Sequence, residues 1–312
     1  MKYITSVFLL LSLGVLAQNT SHTLWYDKPA SEWSEALPLG NGFMGAMVFG
    51  DPLKEHLQLN EGTLYTGDPK GTFKNINVRK DFKQVSDLLK AKKYQEAQAL
   101  IAQEWLGRNH QLYQPMGDFW VEVNHQNATV TDYKRSLDIS TATAITQYKV
   151  GNTTYKRTYF ASYPDHVIVL KMTAEGGGKI NATLHFSTPH VSTASYAAQG
   201  NVLSMQAKVP GFGLRRSFEL VEKLGDQHKY PELYEKNGQR KPDIENMLYS
   251  EKIDGLGMSF ETRLKIRNKG GLVKADKDKI NVKDATEIIV ILTAATSYNG
   301  FDKSPAYEGA AP

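Results

Sequence analysis

The 312-residue chain has no cysteine. No disulfide can staple it, and no thiolate can serve as nucleophile, lipid anchor or metal ligand. It has no large excess of one charge either: 37 Lys and Arg stand against 33 Asp and Glu. The charges are spread without blocks, which argues against a nucleic-acid or membrane-surface binder. No apolar run reaches the ~20 residues of a membrane-spanning helix. The phosphate-binding P-loop, the His-Glu-x-x-His zinc pattern and the Gly-x-Ser-x-Gly elbow are all missing. So are internal repeats and low-complexity tracts. A chain of this kind must be stabilised by its core alone, which its length allows.

What is present begins with "MKYITSVFLLLSLGVLAQ". Lys2 followed by an apolar stretch over 4–16 and small Ala17 predicts a secretory signal peptide over 1–17, cleaved before Gln18. The mature protein is expected to be soluble and periplasmic or secreted. Beyond the signal, most of the chain reads as short strands. "EHLQLNEGTLYTG" alternates Leu57 and Leu59 with Gln58 and Asn60. From Tyr113 onward, segments such as "DFWVEVNH", "TATAITQYKV", "HVIVLKMTA" and "EIIVILTAATSY" are divided by Gly, Asn and Pro turns, the spacing of an antiparallel sandwich. Residues 79–106 differ. Phe82, Val85, Leu88, Leu89, Tyr94, Ala97, Leu100, Ile101 and Trp105 recur at three- and four-residue steps, which predicts one or two helices with a break near Ala91-Lys92 and a stop at Gly107. The polar stretch from Arg216 to Lys252 reads as a surface insertion, and 298–312 as a polar linker. The expected fold is all-β dominated, a large antiparallel β-sandwich over 18–297 with a short helical excursion.

Candidate chemistry rests on carboxylates. Glu61, Asp118 and Asp165 sit beside aromatic or Pro-Gly punctuation, and two carboxylates flanking a sugar would suit glycoside hydrolysis. Each could equally cap its own turn. His185 and His190 could approach a metal together, although a satisfied or exposed histidine is the commoner outcome. Trp25, Trp33 and Trp120 could stack sugars or anchor the core, whereas Trp105 reads as a helix-face anchor. The glycine-rich "EALPLGNGFMGAMVFG" has no helix after it and is no phosphate loop. Gly40, Gly42, Gly45 and Gly50 are expected to let a turn and a tightly packed strand pass without Cβ clashes.

Five stretches in order carry a resemblance: "LWYDKPASEWSEALPLGNGFMGAMVFG", "EHLQLNEGTLYTGDP", "YQPMGDFWVEV", "YKRSLDISTATAITQYKVGNTTYKRTYFASYPDHVIVL" and "GMSFETRLKI…ILTAATSYNGF". From Leu24 onward the chain closely resembles the N-terminal domain of glycoside hydrolase family 95, the α-L-fucosidases and some α-L-galactosidases. The resemblance implies a β-super-sandwich, then a helical linker, an (α/α)₆ barrel holding the active site, and a small β domain. It implies an inverting mechanism in which a barrel Glu is the acid and an Asn polarised by an Asp activates water. No barrel segment occurs in these residues, so no catalytic residue carries over. Asn41, Gln58, Asn60, Glu61 and Asp118 are the expected barrel-facing or substrate-facing side chains. Phe43, Tyr65 and Asp68 depart from the usual Arg, Trp and Gly. No metal or cofactor is expected. The partners implied are fucosylated glycans, met through the parent enzyme, and its catalytic barrel. The competing expectation is a stand-alone carbohydrate-binding or structural docking β-sandwich.

Overall fold

The computed structural model describes residues 22–68, 77–106, 111–126, 128–249 and 256–312. The signal-peptide segment, Gly107 and part of the 216–252 stretch lie outside these. The chain opens with β1 (Thr23–Tyr26), β2 (Leu37–Gly40), β3 (Met44–Val48) and β4 (Lys54–Glu61). Helices α1 (Arg79–Lys90) and α2 (Tyr94–Glu104) follow. Next come β5 (Gly117–Val123), β6 (Val130–Asp138), β7 (Thr143–Val150), β8 (Thr153–Ser162), β9 (Val167–Glu175) and β10 (Ile180–Ser187). After β11 (Ser195–Gln199) and β12 (Val202–Lys208), a short pair β13 (Phe212–Gly213) and β14 (Met247–Leu248) brackets helix α3 (Phe218–Lys223). The chain closes with β15 (Ser259–Lys269), β16 (Leu272–Asp276), β17 (Lys279–Ala285) and β18 (Glu287–Thr296).

These strands form two large antiparallel sheets. One has nine strands in the order β1-β6-β7-β8-β9-β18-β15-β12-β11, the other seven in the order β16-β17-β10-β5-β4-β3-β2. The expected all-β sandwich stands. Its cause is the period-2 pattern: Leu57 and Leu59 on β4, Phe119 and Val121 on β5, Leu184 and Phe186 on β10 all turn inward and are buried. They meet Tyr148, Tyr159, Leu170, Leu264 and Val290 of the facing sheet in one continuous core. Residues between them on each strand face out and are half-buried or exposed.

A buried ion pair interrupts this core. Glu55 stands at an inward position of β4 and is fully buried, as is Arg157 on β8 of the facing sheet. Arg157 Nη1 donates to Glu55 Oε2 at 2.8 Å and to the Asp51 carbonyl at 2.5 Å. Its Nη2 donates to the Pro52 carbonyl at 2.6 Å and to the Tyr148 hydroxyl at 3.2 Å. Glu55 Oε1 accepts from the Gly50 amide at 2.8 Å, and the Tyr159 hydroxyl donates to Oε2. Burial pushes the Tyr159 hydroxyl well above its ordinary pKa, so it remains a donor. This ion pair pins the 50–54 turn of one sheet to the middle of the other.

The helical segment breaks where the periodicity faltered. Lys92 takes a left-handed conformation at φ 58° between α1 and α2. The hairpin buries Val85 and Ala97 but leaves Phe82, Leu89 and Tyr94 exposed. Lys229, from the insertion, donates to the Ala102 carbonyl at 2.9 Å and so helps satisfy the last turn of α2. The insertion is more than a polar surface loop. Phe212, Leu214, Val221, Tyr230, Leu233, Tyr234 and Leu248 form a second small core of their own. Weak periodicity concealed it because its apolar residues come from turns, a pair of two-residue strands and one six-residue helix rather than from one long regular element.

Candidate functional site

The five side chains singled out in the sequence fall into two places. Gln58, Asn60 and Asp118 lie on the outer face of the seven-stranded sheet. Asn41 and Glu61 lie at the end of the sandwich where β4 finishes. The split follows from the pleat: Asn60 and Glu61 are adjacent and therefore point to opposite faces.

On the outer face, Gln58 is paired in register with Asp118 of β5. Asp118 Oδ1 lies 2.7 Å from His56 Nε2, and its Oδ2 accepts from Ser187 Oγ at 3.4 Å. Trp120 Nε1 donates to the same Ser187 Oγ at 2.9 Å. The Trp120 ring is flanked by His56 at 4.1 Å, nearly parallel, and by His185 at 6.3 Å. The His56 imidazole covers one ring face, and the Lys54 ammonium lies 4.8 Å from the ring centroid. The serine touches the aspartate rather than the histidine, so the order is not that of a nucleophilic triad.

The end of the sandwich is more crowded. Asn41, in the β2–β3 turn, is buried; its Oδ1 accepts from the amides of Phe43 at 3.0 Å and Met44 at 2.8 Å. Its Nδ2 donates to the Ser162 carbonyl at 2.9 Å, across to the other sheet. The Glu61 carboxylate is also buried, and its Oε2 accepts from the Thr63 amide and hydroxyl, each at 2.7 Å. Thr63 in turn meets Thr296 at 2.5 Å. Tyr113 donates its hydroxyl to the Glu61 carbonyl at 2.7 Å, and Tyr65 packs edge-on to Tyr298. The Ser304 hydroxyl donates to buried Asp68. Residues 298–310 are accordingly folded back as turns. Ser297 Oγ donates to the Pro305 carbonyl at 2.8 Å, and Asn299 Nδ2 to the Glu308 carbonyl at 2.8 Å.

The remaining candidates have structural duties. Asp165 accepts from Ser162 Oγ at 2.6 Å within its own turn. His190 is buried, with Nε2 2.9 Å from the Pro115 carbonyl and Nδ1 3.0 Å from the Tyr249 hydroxyl. Burial pushes its pKa down, which fits a neutral ring using both nitrogens within the protein. It therefore has no nitrogen to share with His185 on a metal. No group of three metal-ligating side chains occurs among the described residues. Trp25 and Trp33 are exposed, at 62% and 57%, and are not core anchors. The Lys134 ammonium sits 5.5 Å over the Trp25 ring.

The glycines divide as well. Gly42 needs its left-handed φ of +84°. A Cβ at Gly50 would come within 2.8 Å of the Tyr133 hydroxyl. The expected tight packing fails at Gly45, where a Cβ would meet only the Leu39 carbonyl at 3.6 Å.

The residues that sequence reading missed at this end are Tyr163 and His166, with Phe43 noted only as a departure. The Phe43 ring stacks on His166 at 3.8 Å and lies 5.8 Å from Tyr163. These two loops are far apart in sequence, and only antiparallel packing brings them together.

Comparison with known proteins adds to this geometry. The family model described as "Glycosyl hydrolase family 65, N-terminal domain" matches residues 24–300. The chain belongs to that family. It is 27% identical over 285 residues to "Alpha-L-fucosidase 2" of Arabidopsis thaliana, a match covering 89% of this chain and 30% of that protein. It is 31% identical over 173 residues to "Probable alpha-fucosidase A" of Aspergillus oryzae, covering 52% of this chain and 23% of that protein. The chain thus spans less than a third of the length of these relatives. The resemblance read from the five motifs, to the N-terminal domain of an α-L-fucosidase-type glycoside hydrolase, stands.

Asn60 and Glu61 give a direct test of the outward and inward assignments. Glu61→Ala is expected to cost about 1–2 kcal/mol in a urea melt, because the part-buried Thr63 amide and hydroxyl lose their shared acceptor. Asn60→Ala should stay within about 0.5 kcal/mol, as an outward residue of the sheet. Equal losses would contradict the opposed orientation.

Proposed function

We propose that this chain is the N-terminal, non-catalytic domain of a secreted, inverting glycosidase acting on fucosylated glycans. Its crowded end, with Asn41, Glu61, Tyr65, Tyr113 and the 298–310 turns, packs in this reading against a helical barrel that carries the acid and the activated water. One observation supports it above the rest: the carboxylates singled out from the sequence are each spoken for within the fold. Glu61 holds Thr63, Asp118 holds His56 and Asp165 holds Ser162. The usual inverting arrangement sets two carboxyl groups roughly 6.5–9.5 Å apart across a cleft, and these three instead bond neighbours within the sheet and its turns. The names of the relatives, α-L-fucosidase 2 and probable α-fucosidase A, support the substrate class. The Lys2 and apolar pattern of residues 1–17 supports a periplasmic or secreted location.

The test is turnover. The purified chain is expected to leave aryl α-L-fucoside and 2′-fucosyllactose intact at high protein concentration, while a longer protein that includes a helical barrel cleaves both. Hydrolysis by the chain alone that disappears in Asp118→Asn would overturn the non-catalytic assignment.

A further inference from the structure

Charges that look scattered along the chain collect on one face of the fold. On the outer side of the nine-stranded sheet, register sets three rows across four neighbouring strands. Lys156 of β8 lies level with Thr173 of β9, Glu287 of β18 and Lys269 of β15. Thr158, Lys171, Ile289 and Arg267 make the next row, and Phe160, Val169, Ile291 and Lys265 the third. The pleat explains why the sequence shows no basic block. Lys265, Arg267 and Lys269 are every second residue of β15, all exposed, and stand about 6.8 Å apart on one side of the strand. Glu287 is the one carboxylate in these rows, and Lys171 takes it at 2.8 Å. Lys156, Lys265, Arg267 and Lys269 have no ion-pair partner among the described residues. Strand β15 starts beside Thr296, at the crowded end, and runs away from it. The cations therefore lie toward the opposite end, clear of the surface assigned to the barrel.

We propose that this face is a docking track for an anionic polysaccharide, a saccharide polymer bearing sulfate or carboxylate groups. Charge sets the first half of the assignment. The unpaired cations stand in two lines, Lys156 on one side and Lys265, Arg267 and Lys269 on the other, and the protein supplies them no counter-charge. Shape sets the second half. Only β18 separates β9 from β15, so Lys171 and Arg267 face each other across about 9–10 Å. Val169, Ile289 and Ile291 floor the strip beside them. The strip is narrow and runs with the strands, which fits a linear polyanion better than a compact one. Its floor is aliphatic and half-buried, with the Thr158 and Thr173 side chains beside it, a surface that meets C–H groups and hydroxyls together. Single-stranded nucleic acid asks for successive stacking rings, and Phe160 is the one aromatic side chain in the three rows. An anionic bilayer asks for large apolar groups that enter its interface, whereas these aliphatics are half-buried among longer, exposed cationic side chains. The choice of a saccharide among linear polyanions also rests on the glycosidase function proposed above.

The experiment titrates a fluorescein-labelled heparin oligosaccharide with the chain and follows fluorescence polarisation. Saturable binding is expected, weakened about tenfold or more as salt rises from about 50 to about 200 mM. Unlabelled heparin should compete, and neutral dextran should not. Lys265→Ala combined with Arg267→Ala should weaken binding about tenfold. Both side chains are exposed, so the melting midpoint should match the parent. Lys90→Ala combined with Lys236→Ala removes the same charge from exposed positions elsewhere and should leave binding within about twofold of the parent. Absence of saturable binding by the parent chain overturns the proposal, as does an equal loss in the two double variants or competition by dextran. Tighter binding at equal salt to a single-stranded oligonucleotide, or to phosphatidylserine vesicles, overturns it too. Each of these results leaves the non-catalytic reading intact, since that is decided by turnover; turnover by the chain alone would leave the track standing.

Discussion

Arg157→Ala is expected to lower the unfolding free energy by about 3–5 kcal/mol. The guanidinium is fully buried between the sheets and serves Glu55, two backbone carbonyls and Tyr148. Truncation leaves the Glu55 carboxylate in the core with only the Tyr159 hydroxyl and the Gly50 and His56 amides to hold it. A buried charge stripped of its counter-ion is among the costlier single changes a domain can suffer. Removing the carboxylate as well should recover part of the loss, so Glu55→Leu combined with Arg157→Leu is expected to cost less than the sum of the two single changes. The Asp51 and Pro52 carbonyls would still lack their donor, which keeps the double variant below the parent. Urea melts of Arg157→Ala, Glu55→Leu, Arg157→Leu and the double leucine variant decide this. A loss under about 1 kcal/mol for Arg157→Ala would mean that the pair is balanced by its desolvation and does not pin the sheets.

Gly117→Ala should cost about 2–4 kcal/mol. Gly117 opens β5 at φ +143°, a region L-residues rarely adopt, and a Cβ there would lie 2.2 Å from the Ser187 carbonyl oxygen. That oxygen is backbone, so no rotamer change can move it aside. The strand must shift, and Asp118, the next residue, would shift with it away from His56. Gly45→Ala is the control. Its Cβ would meet only the Leu39 carbonyl at 3.6 Å, and alanine limits the unfolded chain more than glycine does. That change should be neutral or raise stability by up to about 1 kcal/mol. Thermal or urea unfolding of both variants separates the two cases. Equal effects would show that the Gly117 backbone relaxes freely.

Much of the architecture was legible. Alternation in "EHLQLNE" set the inward side of β4, and the same rule placed Phe119 and Val121 of "DFWVEV" in the core. The helix break near Lys92 was written in the lapse of the three-and-four spacing. The motif order gave the family, which matches 24–300. The candidate site was legible only in part. Residue type marked Glu61 and Asp118 as carboxylates of interest. A turn cap of the kind Glu61 makes on Thr63 was among the local readings, but nothing local could say that Asp118 would be spent on His56.

The sequence by itself determined the inward side of the regular strands, because burial there follows a side-chain period that a single strand displays. It also determined the turns, where Gly151, Gly176 and Gly177 take the positive φ that their position between strands demands. What lies across from what was decided only by the tertiary structure. Glu55 meets Arg157 over 102 residues, Asn41 reaches Ser162 over 121, and Phe43 stacks on His166. Such pairs depend on how two sheets are stacked and where their loops emerge, and loop closure over a hundred residues leaves no periodic trace in the chain that makes it.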